Sequence, residues 1–233
     1  MKYIDCETDL SHERMWCVAE ADDDEEPRLI RTYSPETTSF RFEGVPLGCA
    51  HNAIGFERHR VLGVDEWRDT LVMSRLYDPS MEGGHSLKAW GHRLGFPKDE
   101  FPLEQFDIGY TDEMGSYCQQ DVRVLQKLHP HLTKLLVSSN FSQQSIDLEH
   151  DVAIVTDDMC RRGFPFNKAE AEQIHVEHMQ RQKAITLELQ ERWPPIITER
   201  WSDKTGKRLK DDVVEFKVGS RQQIADRLAA EGV

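Results

Sequence analysis

Two carboxylates near the start of the chain, Asp5 and Glu7, have the spacing of a metal-binding pair. Residues 2–6 combine apolar and β-prone side chains and predict a short strand. Side chains two positions apart lie on one face of a strand, so both carboxylates point the same way. Because like charges repel at this distance, the pair favours a bound cation. Taken alone, an acidic D-x-E pair is more often an accident of the surface.

A second candidate is the stretch Asn52-Ala-Ile-Gly-Phe-Glu57, which follows an apolar run over residues 45–50. A strand that ends here would deliver an amide and then a carboxylate near the edge of a sheet. The alternative is a loop before a helix, with Glu57 beside the positive end of the helix dipole. Taken alone, the second interpretation is favoured.

A third candidate is Tyr117-Cys-Gln-Gln-Asp121, within a helix predicted over residues 112–129. Positions four apart share a helix face, so Tyr117 and Asp121 lie together. Aspartate has a poor propensity for the middle of a helix, which favours a functional role here. The alternative is a core tyrosine next to a solvated aspartate.

Taken in order, the three stretches resemble the D-x-E, N-x(3–4)-[FY]-D and Y-x-x-x-D motifs of the DEDD exonuclease superfamily, whose fold is ribonuclease H-like. Tyr117, four residues before the last acid, resembles the tyrosine branch. The histidine branch would have a histidine one position earlier, where this chain has Ser116.

Four further segments resemble family A DNA polymerases of short-tailed phages. Residues 69–76 (Asp-Thr-Leu-Val-Met-Ser-Arg-Leu) and 85–95 are similar to the connection between the second and third motifs. Residues 147–153 and 162–167 (Arg-Gly-Phe-Pro-Phe-Asn) are similar to the start of the thumb. The resemblance thus covers nearly the whole chain.

The resemblance implies a metal-dependent 3'→5' DNA exonuclease that releases nucleoside 5'-monophosphates, the proofreading part of such a polymerase. It implies two divalent ions, Mg²⁺ or Mn²⁺, which suit an all-oxygen site. The implied metal ligands are Asp5, Glu7, Glu57 and Asp121. Glu7 and Tyr117 would orient the attacking water. Residues implied beside the terminal nucleotide are Thr8, Asn52 and Phe56, the last more as a packing than as a stacking side chain.

Two departures from the family pattern bear on activity. The second motif ends in aspartate in the family, whereas this chain has Glu57. The extra methylene moves the carboxylate by about one C–C bond, and functional sites tolerate only about 0.5 Å of misplacement. In addition, only twelve positions separate Glu57 from Asp69, where the relatives have a longer helical connection.

The elements that position these residues run from strands to helices. Apolar runs predict strands early in the chain, with residues 22–26 as an acidic hairpin loop, and helices follow over residues 66–77, 85–94 and 112–129. This order predicts an α/β fold, a ribonuclease H-like exonuclease domain with a mixed sheet flanked by helices. A polar break at residues 138–142 precedes a mostly helical partial thumb, with helices over 143–162 and from Asn167 to about residue 192. We therefore expect two domains, 1–138 and 139–233.

Composition narrows the class of protein. The net charge of -13 argues against a protein that coats duplex DNA, because such binding depends on Lys and Arg. The five cysteines form no CxxC pair and are expected as reduced thiols. No apolar run is long enough for a membrane span, and the first residues lack a signal sequence, so we expect a cytoplasmic protein, in the host cell if the chain is viral.

The expected partner is a DNA 3' end, single-stranded or frayed, without a membrane. The chain ends within the thumb-like region, so a polymerase palm and fingers are expected as a separate chain or a C-terminal remainder. The stretch of residues 194–219 is too short for a thioredoxin-binding insertion. Two alternatives stay open: a weakened or inactive DNA-end-binding or assembly subunit of a split polymerase, which Glu57 motivates, and a tyrosine-branch exoribonuclease.

Overall fold

The structure, a computed structural model, describes residues 1–32, 36–97 and 101–232. These residues form two compact units, Met1–Gly163 and Phe164–Val233. The first unit contains every residue of the three acidic motifs.

The first unit is built on a five-stranded mixed sheet with the order β3-β2-β1-β4-β5. The pairs β1–β2 and β2–β3 are antiparallel, whereas β1–β4 and β4–β5 are parallel. The strands are β1 (Lys2–Thr8), β2 (Met15–Ala21), β3 (Arg28–Arg31), β4 (Phe40–Ala50) and β5 (Val61–Asp69). Strand β1, which carries Asp5 and Glu7, is therefore central, with neighbours on both sides.

Four helices accompany this sheet: α1 (Thr70–Tyr77), α2 (Leu87–Arg93), α3 (Asp112–Ser138) and α4 (Gln143–Arg162). Helix α3 packs its apolar stripe on one face of the sheet, with Val122, Leu125 and Leu128 fully buried. The other face carries a smaller cluster with Ile4 and Val61. The predicted mixed sheet with flanking helices is confirmed.

Helix starts follow the capping residues in the sequence. The hydroxyl of Thr111 accepts a hydrogen bond from the Met114 amide, and the Ser142 hydroxyl caps α4 in the same way. Such caps satisfy amides that have no partner within the helix. The predicted helix over residues 143–162 coincides with α4.

Two predicted helices have different bounds in the structure. The helix expected over residues 66–77 starts only at Thr70, because residues 61–69 pair with the parallel strand β4 and tertiary pairing overrides local propensity. The helix expected over residues 112–129 continues to Ser138 through Pro130. Burial of Leu132 and Leu136 against the core offsets the hydrogen bond that the proline removes.

The second unit contains two helices and a small antiparallel hairpin: α5 (Lys168–Arg192), β6 (Ile196–Thr198), β7 (Asp212–Val214) and α6 (Arg221–Ala230). Its core is a pair of rings, Trp193 and Phe216, whose centroids lie 5.0 Å apart. The indole of Trp193 donates a hydrogen bond to Glu231 just after α6 (2.7 Å). None of the residues of α5, all of which the structure describes, is buried.

The division into units falls after Gly163, so α4 belongs to the first compact unit. The assignment of residues 139–233 to a thumb-like region stays a prediction. Among the residues described, no helix combines the length and the apolar character that crossing a bilayer requires.

Gly63 in β5 offers a test of the sheet geometry. Its φ is +77°, and a Cβ atom there would lie 2.1 Å from the carbonyl oxygen of Phe42 in β4. Gly44 has a similar φ of +71° with nothing within 4 Å of an added Cβ. We expect Gly44→Ala to lower the free energy of unfolding by roughly 1 kcal/mol and Gly63→Ala by roughly 3 kcal/mol or more. Urea unfolding of both variants measures this difference, and equal losses would contradict the close approach.

Candidate metal centre

Asp5 and Glu7 lie on the face of β1 that is turned toward α3. The intervening residue, Cys6, and Ile4 belong to the core cluster on the opposite face. Oxygen atoms of the two carboxylates and the Sγ atom of Cys118 all lie within 4.8 Å of one another. Glu7 is 9% exposed, so this group of potential ligands lies at the base of the site.

Cys118 is a member of this group that the sequence did not point to. Its thiol is buried and lies 3.5 Å from the carbonyl oxygen of Asp5, which accepts its weak hydrogen bond. Burial raises the pKa of the Cys118 thiol well above its ordinary value, and the charges of Asp5 and Glu7 add to the effect. The available signal was its position between Tyr117 and Asp121, one helical turn before the acid.

Glu57 comes from the segment that follows β4, the parallel neighbour of β1 in the sheet. It starts a short 3-10 turn, Glu57–His59, and is 3% exposed. Among the described residues, its Oε2 atom has no hydrogen-bond partner. Burial raises the pKa of the Glu57 carboxyl well above its usual value, and the negative charge of Asp5 raises it further. A cation beside Asp5 and Glu57 would relieve both effects, so the donor set fits a divalent ion.

Asp121 and Tyr117 come from α3, the helix that packs along β1. Asp121 is 4% exposed and lies three residues after Cys118, which touches Asp5. The Tyr117 ring is half-buried against Phe101 and Phe106, with centroids 5.6 and 6.4 Å away. Both residues of the third motif thus lie on α3, the helix that carries Cys118, and their roles stay predictions.

The residues expected beside the terminal nucleotide have contacts of their own. The Thr8 hydroxyl donates to the carbonyl of Asp9 (2.9 Å) and lies 3.0 Å from Nδ1 of His12. The Phe56 ring packs between His12, at a centroid distance of 5.1 Å, and the guanidinium of Arg60, 4.1 Å from its centroid. These contacts agree with packing as the role of Phe56. Its nucleotide role and that of Thr8 stay predictions.

Asn52 begins the segment 52–59, here called the motif-two loop, in the left-handed region with a φ of +70°. Asparagine tolerates this conformation better than most residues. The backbone amide of Asn52 donates a hydrogen bond to Oδ1 of Asp69 (3.0 Å), and the backbone amide of Ile54 donates one to Oδ2 (3.0 Å).

Asp69 holds this loop and also caps α1 through the Leu71 amide (2.8 Å). It is 2% exposed, and burial raises the pKa of its carboxyl although three amides oppose this. The sequence pattern predicts Asp69 inside a helix, whereas in the structure Asp69 is the N-cap of α1. An aspartate before an apolar helical run was the available signal.

The structure therefore brings Asp5 and Glu7 together with Cys118, and it places Glu57 where the charge of Asp5 acts on it. Asp121 lies on the same helix as Cys118. Carboxylate oxygens are hard ligands that suit Mg²⁺ or Mn²⁺, whereas a thiolate would favour softer ions. The ligand and catalytic roles of the individual residues stay predictions.

The chain is similar both to known protein sequences and to solved structures. No protein-family model matches the chain. The DNA-directed DNA polymerases of Escherichia phage T7 and Enterobacteria phage T3 are each 29% identical to it over 173 residues, which cover 53% of this chain and 24% of the polymerase. The chain thus spans about a quarter of the length of these curated relatives.

Solved structures of nucleases share the fold. Brucella melitensis NrnC with bound Mg²⁺ is 16% identical, with a TM-score of 0.52 over 70% of this chain and 85% of NrnC. A structure described as the apo form of the nuclease is 18% identical, with a TM-score of 0.52 over 70% of this chain and 84% of that one. Together, the polymerase similarity and the nuclease fold fit the N-terminal exonuclease part of a phage DNA polymerase.

The buried charge of Glu57 predicts an effect on stability in the absence of metal. Because the folded state raises its pKa, the stability of the metal-free protein falls as the pH rises from the ordinary glutamate pKa toward the raised value. We expect Glu57→Gln to remove this fall and to raise the free energy of unfolding at pH 8 by roughly 1–2 kcal/mol. Thermal unfolding with EDTA between pH 5 and 9 measures it.

The matched control is Glu43→Gln, which neutralises an exposed glutamate on β4. It should follow the pH dependence of the unmodified protein. Added Mn²⁺ should stabilise the unmodified protein more than Glu57→Gln, since a ligand stabilises the state that binds it. The assignment would be contradicted if Glu57→Gln lost as much stability between pH 5 and pH 8 as the unmodified protein does.

Proposed function

Because the chain resembles the exonuclease part of phage polymerases, we propose that it is a metal-dependent 3'→5' DNA exonuclease that releases nucleoside 5'-monophosphates. The observation that carries the proposal is the pair of carboxylates of Asp5 and Glu7 on β1, with the buried Glu57 within reach of the charge of Asp5. Carboxylates that repel one another and are shielded from solvent are costly without a cation. The solved structure of NrnC has bound Mg²⁺, which supports divalent metal use on the same fold.

In this proposal Asp5, Glu7, Glu57 and Asp121 hold two divalent ions, Mg²⁺ or Mn²⁺. When bound, such ions lower the pKa of a water and neutralise charge on the attacking and leaving oxygens. The chain itself orients the reactants. Water attacks the phosphorus, the bond from phosphorus to the 3'-oxygen breaks, and the departing strand takes up a proton at that oxygen.

Tyr117 and Glu7 are the residues that we assign to orienting the water. The ring of Tyr117 is restrained by Phe101 and Phe106, which limits the positions of its hydroxyl. Glu7 is buried and fixed on the central strand of the sheet. Thr8, the last residue of β1, and Asn52, the first residue of the motif-two loop, are assigned to the terminal nucleotide.

The proposed substrate is a DNA 3' end, single-stranded or frayed. The curated relatives are DNA polymerases, which supports DNA over RNA. NrnC has a structure bound to pGG, so a short nucleic-acid end is a ligand of a protein with this fold. In the proofreading role, palm and fingers act with this chain as a separate polypeptide or as a C-terminal remainder, in the cytoplasm of the host cell.

The alternative is a DNA-end-binding or assembly subunit with weakened or absent catalysis. Glu57 in place of the family's aspartate is the observation that favours it. Its buried side chain has a specific environment, with Asp5 and Arg60 both acting on its charge.

Metal-dependent nuclease activity is the first test. We expect 3'-labelled single-stranded DNA to release labelled mononucleotide with Mn²⁺ and none with EDTA, and RNA to be degraded more slowly. Asp5→Ala should lower kcat/KM by more than about a hundredfold, because even indirect partners of a metal ion cost about 10–100-fold. Asp65→Ala, which removes an exposed carboxylate from β5, is the control. Full activity of Asp5→Ala would refute the site assignment.

Glu57→Asp separates the two functions. If the surroundings are adapted to glutamate, the shorter side chain should lower kcat by roughly tenfold, since sites tolerate only about 0.5 Å of misplacement. A DNA-binding subunit would instead show binding without release, and Glu57→Asp would bring activity back. Single-turnover rates and DNA affinity, measured on both proteins, distinguish these outcomes.

A further inference from the structure

Helix α4 contacts the chain on both sides of Glu57. One set of contacts reaches residues 55–59 of the motif-two loop, and the other reaches Arg68 and Asp69 at the end of β5. The sequence pattern predicts that this helix opens the thumb-like region, and that assignment stays a prediction. The contacts of α4 place it beside the motif-two loop.

The two residues after Glu57 are bound to consecutive acids of α4. Nε2 of His59 lies 2.6 Å from Oδ2 of Asp157. Arg58 pairs with Asp158, with Nη1 and Oδ1 3.1 Å apart. Because Arg58 and His59 belong to the same short turn as Glu57, these contacts restrain the backbone from which the Glu57 side chain departs.

The residue two positions before Glu57 is bound by the same cluster. Arg161, one turn beyond Asp157 on α4, donates from Nη2 to the carbonyl oxygen of Gly55 (2.9 Å). Its Nε donates to the same Oδ2 atom of Asp157 that His59 contacts (3.0 Å). One carboxylate oxygen therefore links both flanks of Glu57.

Asp157 is suited to this task because it is largely enclosed, with a side chain 16% exposed. Burial acts to raise the pKa of its carboxyl, but the hydrogen bonds from His59 and Arg161 outweigh this and lower it. An ionised acceptor makes stronger hydrogen bonds than a neutral one.

The second attachment holds the start of the loop. His150 of α4 accepts a hydrogen bond at Nε2 from the amide of Asp69 (2.9 Å), and its Nδ1 lies 2.7 Å from the carbonyl of Ile146. The carboxylate of Asp69 in turn accepts from the amides of Asn52 and Ile54. The motif-two loop is thus fixed to α4 at both ends.

The Glu57 carboxylate is held mainly from its own turn, through a hydrogen bond with its own backbone amide and the charge of Arg60. Among the described residues its Oε2 atom has no hydrogen-bond partner, and its side chain has one more rotatable bond than aspartate. Its position therefore depends on the placement of the turn beneath it. That turn is a single one, closed by the Arg60 amide on the Glu57 carbonyl (2.9 Å).

We propose that Asp157 of α4 is a positioning residue for Glu57, which it holds through His59 and Arg161, and that it thereby sets the affinity of the site for a divalent ion. The proposal rests on the proposed function, in which Glu57 is a metal ligand. Helix α4, the first helix after the third motif, then contributes to the nuclease site. It also explains how the carboxylate of Glu57, whose side chain is longer than the family's aspartate, is kept in position.

Asp157→Asn tests this in the full chain, because it removes the charge and keeps the shape. Asp151→Asn is the matched control, since Asp151 is an exposed aspartate of the same helix. Mn²⁺ affinity is measured without DNA by calorimetry and paramagnetic resonance, alongside Glu57→Gln and the double variant. We expect Asp157→Asn to weaken Mn²⁺ binding about tenfold, as the loss of an indirect partner does. The double variant should bind no more weakly than Glu57→Gln alone, because both changes act through one side chain.

Each other outcome has a definite meaning. The positioning role is overturned if Asp157→Asn binds Mn²⁺ as tightly as Asp151→Asn does. It is also overturned if the loss of Mn²⁺ affinity in Asp157→Asn adds in full to the loss in Glu57→Gln. If Glu57→Gln itself leaves Mn²⁺ affinity unchanged, the metal role of Glu57 fails and this proposal fails with it. The first pattern leaves the proposed function intact, so the two failures are distinguishable.

Amide hydrogen exchange over residues 52–60 adds a readout that needs neither metal nor DNA. Asp157→Asn should speed exchange there while α3 stays protected, whereas general destabilisation would affect both. Should Asp157→Asn not fold, His59→Leu removes the same hydrogen bond from the loop side and is expected to weaken Mn²⁺ binding to the same degree. Unchanged binding in His59→Leu would overturn the proposal.

Discussion

The repulsion among buried carboxylates at the end of β1 is the constraint that organises the first unit. Asp5 and Glu7 are held side by side by strand geometry, and Glu57 is buried where the charge of Asp5 adds to the effect of burial in raising its pKa. A chain gains nothing in stability from such a cluster unless a cation binds there. The surrounding elements must therefore hold these side chains in place without the help of favourable interactions among them.

The fold meets this requirement by placing Asp5 and Glu7 on the central strand of the sheet and Asp121 on a packed helix. Strand β1 is flanked on both sides within the sheet, and α3 lies along it with a stripe of fully buried residues. Glu57 is different, because it lies on a loop after β4. Its support comes from Asp69 on one side and from the Asp157 cluster of α4 on the other. The least regular part of the site thus has the densest polar network.

Local patterns in the sequence predicted much of this architecture. The order of strands and helices, the start of α5 after Asn167 and the full extent of α4 follow from capping chemistry and periodicity. Errors arose where distant pairing decides the conformation. Residues 66–69 look helical in isolation but join the parallel strand β5, and α3 passes through Pro130 because the leucines beyond it are buried.

The motif spacings by themselves determined which acids are candidates, since an i, i+2 pair on a strand and an i, i+4 pair on a helix share a face whatever surrounds them. Tertiary structure alone decided which groups join them. Cys118 reaches Asp5 only because α3 packs on β1, and Asp157 lies a hundred positions from Glu57 along the chain. Contacts at that separation leave no local pattern in one sequence. They arise from the packing of helices on the sheet, which burial energy, and not residue spacing, selects.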